Sequence, residues 1–258
     1  MIRILRADFR RLQKDRALWL SVLGMLLISA GFMFIQASAM DYTVPLSRVI
    51  FLPLSMLGIA LGAFAAMFSG TDFSDGVIRN KLLTAENRGS LVLSEMIVSA
   101  AGCLLIYALV TAFSAGGGRF FFENNVDLVV FARYFALGAS MSLAYGCLFS
   151  ALTMICGKKT QSVILCMGLA FLMLFAALSS NEVLVQTEYR NGVLNPHFVG
   201  GMRREIYSFL HDLNPCGQAA QLSAWEVRHP VRILLLNLIV ILGSSMLACL
   251  FFQKKDIR

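Results

Sequence analysis

Apolar and polar positions along this chain come in long blocks. Residues 18–40, 49–69, 91–113, 129–155, 162–179 and 231–252 are almost free of Asp, Glu, Lys and Arg. A bilayer core about 30 Å thick needs roughly 20 apolar residues to cross it as a helix. No water in that core can pair a free peptide group, so each block must close its own helical ladder. The pattern predicts an all-α integral membrane protein with six transmembrane helices, forming a single domain over residues 1–258.

The segments between the blocks carry finer patterns. In residues 1–17, Ile2, Leu5, Phe9 and Leu12 fall on one helical face and Arg3, Arg6, Arg10 and Lys14 on the other, which predicts an interfacial helix on the inner leaflet. Between the second and third blocks, Ile78 and Leu82 share a face with Arg79 and Lys81 turned away, giving a short amphipathic helix suited to a groove on a soluble partner. The long segment 181–230 places Ile206, Phe209, Leu210 and Leu213 at helical spacing, ending near Asn214–Pro215. Trp19 and Trp225 sit where interfacial anchors are expected.

Composition sharpens this picture. The chain is 58% hydrophobic and 14% charged, too apolar for a soluble domain of its length. Its net charge of +7 is spread between apolar blocks, which argues against a nucleic-acid surface and for orientation in a membrane. Basic residues gather before the first block, at Arg79, Lys81 and Arg88, at Lys158 and Lys159, and after the sixth block. All four segments fall on one side, which the positive-inside rule makes the cytoplasm, with both termini inside. The basic leader and Ala37–Ser38–Ala39 also resemble a cleaved signal peptide, but the apolar run is too long and its loss would upset the charge alternation. Five of six cysteines lie in or beside apolar runs, so a disulfide framework is not expected.

Chemistry is sparse. The nearest approach to a phosphate-cradling loop, Gly157–Lys158–Lys159–Thr160, has Leu152 where the first glycine belongs, so this chain is expected to bind no nucleotide. The three histidines, His197, His211 and His229, lack a compact ligand motif; solvated surface positions are the default and no metal is expected. Glu95 and Arg133 fall near span ends, where snorkelling would satisfy them. Gln36, Tyr107, Tyr145 and Asn237 are the polar groups at depth, and so the pathway candidates. Such scarcity of buried carboxylates argues against an ion-coupled carrier. Small residues at every fourth position (Gly58, Gly62, Ala66, Gly70; Gly138, Ser142, Gly146, Ser150) predict close helix packing, chiefly within the subunit.

The segment Asp72–Phe73–Ser74–Asp75–Gly76–Val77–Ile78–Arg79–Asn80–Lys81–Leu82 resembles the signature of ABC-2 type permeases, with Val77 in place of the usual threonine. Leu213–Asn214–Pro215 with Gln218, and the basic ending Phe252 to Arg258, are similar to the same family; Ser94–Glu95 departs from its Ser-Lys. The resemblance implies a permease subunit of an ATP-binding cassette exporter in a bacterial cell membrane. Its leader would be an elbow helix, residues 72–88 would include the coupling helix, and a long outer loop would precede the last span. It further implies pairing with a second permease copy and two cytoplasmic ATPase subunits, which would carry ATP and magnesium. The cargo would be an amphipathic peptide or lipid-like molecule. A membrane anchor or sensor, or an ion-coupled carrier, are the rival classes.

Overall fold

The computed structural model describes residues 2–39, 44–78, 81, 88–190 and 193–254. Among these residues are six helices long and apolar enough to cross a membrane, the architecture of a multi-pass membrane protein. In chain order the elements are α1 (Ile2–Lys14), α2 (Arg16–Ala39), α3 (Ser47–Ile50), α4 (Leu54–Ser74), α5 (Arg88–Gly118), α6 (Leu128–Cys156), α7 (Lys159–Val185), β1 (Tyr189–Arg190), β2 (Val193–Leu194), α8 (Gly201–Leu213), α9 (Pro215–Ser223) and α10 (Pro230–Lys254). The two strands form a two-residue antiparallel ladder.

Helix ends follow local chemistry. Asp15 starts α2 by accepting from the Ala17 and Leu18 amides through one carboxylate oxygen (2.8 and 3.2 Å), as N-cap acids do. Asp127 does the same for α6 through Val129 N (2.9 Å). Gly157, in the left-handed region at φ 70°, ends α6 and reverses the chain into α7. Asn214 caps α9 through Cys216 N (3.0 Å), with Pro215 in the first helical turn, where its missing N–H costs nothing.

α4, α5 and α6 form the centre, with more than half of each apolar stretch buried; α2, α7 and α10 are peripheral, with less than a third buried. α2 packs on α4 and α5, α7 on α4, and α10 on α6 and α5. Consecutive long helices alternate in direction, so α1, the ends of α4 and α6, the starts of α5 and α7 and the end of α10 lie at one end of the bundle. α3, α8 and α9 lie at the other. The outer faces of the peripheral helices are apolar: Leu23, Phe34, Leu172, Phe175, Leu235 and Leu242 are all more than half exposed.

The small-residue ridges serve packing inside the subunit. A Cβ on Gly58 would come within 2.6 Å of the Tyr145 hydroxyl, and one on Gly146 within 2.5 Å of Ala100 Cα. Several long helices run past the apolar blocks that announce them, α5 reaching Gly118 and α7 reaching Val185, because a helical ladder continues until a cap or breaker stops it. The segment before the last long helix is more structured than a loop. α8 and α9 fold back as a hairpin, and α9 is buried along nearly its whole length between α4, α6 and α7.

Candidate functional site

Five charged side chains converge where α1, the segment after α4 and the start of α5 meet. α1 supplies Asp8 and Arg11, three residues apart and therefore on one face. α4 supplies Asp72 from its last turn, the following segment supplies Lys81, and α5 supplies Glu95 from its second turn. Asp8, Asp72 and Glu95 are 2–3% exposed. The Lys81 ammonium reaches all three carboxylates, at 2.7 Å from Asp8, 2.5 Å from Asp72 and 3.1 Å from Glu95. Arg11 pairs with Asp72, donates to the Phe68 carbonyl at 2.7 Å, and lies 3.9 Å from Glu95. Its guanidinium also stacks over the Phe68 ring, 4.1 Å from the centroid, a cation–π arrangement. Ser94 donates a long bond to Asp8 (3.5 Å).

Burial works against the charge on both cations. For Lys81 the carboxylates of Glu95 and Asp72 outweigh burial and hold its pKa above the usual lysine range. Arg11 is raised in the same way, with Glu95 as the largest favourable neighbour. Both cations are therefore charged at neutral pH. Removing one member of such a buried group strands the others, which costs about 3–5 kcal/mol. The cluster joins three elements that are otherwise separate in the chain.

The structure divides the residues expected to dock on a partner. Asp75 and Val77 are exposed. Gly76, at φ +68° with open space around its Cα, lets the backbone turn from α4 into the helical residues Val77 and Ile78 at a conformation that costs other residues energy. Asp72 faces inward, and Ile78 is buried with Leu91, Val92 and Met96 of α5, Cys147 and Met154 of α6, and Phe252 of α10. Phe73 packs against the same group. Lys81, expected to turn away from the apolar face, instead reaches into its own chain. Arg79, Asn80 and Leu82 lie outside the described residues. In α1, Leu12 is buried and Leu5 and Phe9 pack against the core, while Arg6, Arg10 and Lys14 are exposed; the side chain of Ile2 lies outside the described part.

Glu95 corrects an expectation. It does not snorkel to solvent at a span end, because α1 and Lys81 cover it and supply its counter-charge. Asp8 and Arg11 went unnoticed in the sequence, where Arg11 reads as one more topogenic charge. The available signal is an acid at position 8, beside the apolar stripe of a basic leader.

The pathway candidates do not line one channel. Tyr107 donates to the Phe135 carbonyl (3.0 Å). Tyr145 meets the Cys216 sulfur at 2.8 Å. Asn237 bonds Gln218 twice, receiving at 2.9 Å and donating at 3.0 Å, and donates to Ser140 at 2.9 Å. Tyr145 and Asn237 thus clamp α9. Gln36 is half-buried near the other end of α2.

A second polar group locks the α8–α9 hairpin to α10. Asp212, 1% exposed, accepts from Gln221 (2.7 Å) and from Arg232 Nε (2.6 Å). Arg232 also donates to Ser208 (2.7 Å). His211, expected at a solvated surface, is buried with its Nδ1 2.7 Å from the Ser180 hydroxyl. Among the described residues no group of His, Cys, Asp and Glu is arranged to hold a metal ion. All six cysteines are free.

No known protein family matches this chain, and no curated protein matches it.

Proposed function

We propose that this chain is the membrane-spanning subunit of an ATP-driven exporter of the ABC-2 type, powered by a separate ATPase docked at the α1 end. The observation that carries this reading is the ion cluster itself. The segment bearing the signature residues is bound through Asp72 and Lys81 to α1 and to α5, so a push on its exposed turn at Asp75 to Val77 moves three elements together. Nucleotide can bias a membrane pathway only if the ATPase binds one arrangement of it better than another. A rigid junction at the basic end transmits that preference. The basic residues of α1 and of the short connections at that end support a cytoplasmic placement.

The cargo on this reading is amphipathic or lipid-like. Tyr107, Tyr145 and Asn237 are consumed by packing within the subunit, and the exposed sides of α2, α7 and α10 are apolar, so a route for greasy cargo fits between such surfaces and those of a second copy.

Purification of the tagged chain from its native membrane in mild detergent tests the proposal. It is expected to bring down an ATP-hydrolysing chain in equal number. Recovery of the chain alone, with no ATP hydrolysis, would favour a membrane anchor or sensor. Uptake into vesicles driven by an ion gradient without ATP would favour a carrier.

A further inference from the structure

Between α2 and α4 runs an open groove of about 320 Å³. Its walls include Ala17, Gly24 and Ile28 on α2, and Ala60, Ala63 and Met67 on α4. The lining is almost wholly apolar, with Ser21 the one hydroxyl. From Ala17 to Ile28 a helix rises about 17 Å at 1.5 Å per residue, close to the roughly 15 Å of hydrocarbon in one leaflet. The groove begins in the first turn of α2 and ends near mid-membrane, the span of one acyl chain.

Its mouth is marked by charge and by an aromatic. Arg16 stands one turn before Leu20, a groove residue, on the same helical face. Arg16 is exposed, and the neighbouring acid, Asp15, is committed to the amides of Ala17 and Leu18. Lys14 and Arg10 on α1 are exposed at the same end. Trp19, half exposed, donates its indole N–H to the Gln13 carbonyl (2.9 Å), the depth at which tryptophan meets headgroups. Apolar walls one leaflet long and an exposed arginine at headgroup level complement a lipid with a negative headgroup.

We propose that the α2–α4 groove holds one acyl chain of an anionic phospholipid whose phosphate sits on Arg16. The lipid is a fixed component that braces the peripheral helix α2 against α4. This inference rests on the six spanning helices alone and stands or falls apart from the transport reading.

The test places the full chain in nanodiscs of equal phosphatidylglycerol and phosphatidylcholine, extracts it in mild detergent, and counts retained lipids by native mass spectrometry. The wild type is expected to keep one phosphatidylglycerol per chain. Arg16→Gln should lower its retention about fivefold, the effect of one basic residue at an anionic surface. Gly24→Leu should lower it about tenfold by filling the groove. An added Cβ at Gly24 meets nothing within 4 Å, so the substitution starts in open space, and a thermal midpoint matching the wild type checks that the variant folds. Gly31→Leu, also open and outside the groove, is the control and should retain the lipid. Equal retention of both lipids, or unchanged retention in Gly24→Leu, would overturn the proposal. So would a dimer that Gly24→Leu splits without loss of lipid, which would make the groove an interface between copies.

Discussion

Lys81 holds together three carboxylates that have little access to water. Replacing it with methionine keeps the stem and removes the charge, leaving Arg11 to face Asp8, Asp72 and Glu95. The expected loss is about 3–5 kcal/mol, read as a fall in the thermal midpoint of the purified protein. Loss below about 1 kcal/mol, the range of exposed pairs, would show that the cluster is solvated. The pH dependence has a definite sign. The folded pKa of Lys81 lies above the ordinary value of 10.5, so its contribution is complete below 10.5 and is lost only as pH rises through the higher folded value. Stability is therefore expected to stay level in Lys81 terms up to about pH 10, with wild type and Lys81→Met converging only at more alkaline pH. The cations here were visible in the sequence, but their roles were not. A basic residue in a leader reads equally as topogenic or as a buried partner until the helix packing decides, and Glu95 could not be assigned before Asp8 and Arg11 were seen to cover it.

At the level of elements, α8 and α9 show where packing overrides a linear reading. The apolar spacing of Ile206, Phe209 and Leu210 announced a helix, and those residues are exposed as an interfacial helix requires. Its polar face, Ser208, His211 and Asp212, turns inward to find partners on α7, α9 and α10. Residues 215–223 have no apolar period to betray a buried helix; Gln218 and Gln221 are buried because Asn237 and Asp212 satisfy them. His211 gives this hairpin a pH response. Burial lowers its pKa below the ordinary 6.5, Arg228 adding to the effect and Asp212 opposing it. The neutral ring's contribution is therefore full above 6.5 and is lost as pH falls toward the folded value. Amide exchange in α8, corrected for its intrinsic pH dependence, should quicken between pH 7 and 5 and do so less in His211→Asn; protection unchanged with pH would remove His211 from the account. The glycine ridges, by contrast, were legible from spacing alone. Gly146→Ala presses on the α5 backbone at Ala100 and is expected to cost about 1–3 kcal/mol. Gly168→Ala, in a helix with open space around it, should be neutral or stabilise by up to about 1 kcal/mol. Thermal midpoints of the two variants check the pair, and equal effects would mean that the α5–α6 contact is looser than described.

For the whole molecule, hydropathy carried most of the architecture, because in a bilayer both the length of a helix and the polarity of its faces are dictated by the solvent. Which helices lie at the centre was not legible from hydropathy, since α4 and α7 are about equally apolar; the small-residue ridges of α4 and α6 carried that signal, and both helices are central. The division of the α4–α5 segment was hidden because apolar spacing does not say whether a face meets its own chain or another: Ile78 and Asp72 serve the fold, and Asp75 and Val77 are exposed. The central claim is that the turn at Asp75 to Val77 faces the cytoplasm and touches an ATPase. A photo-crosslinking residue placed at Asp75, activated in intact cells, tests it most directly. The account predicts an adduct with a nucleotide-hydrolysing chain, and no labelling of an Asp75→Cys variant by membrane-impermeant thiol reagents added outside. Labelling from outside, or no adduct with an ATPase when the protein is folded in the membrane, would contradict it.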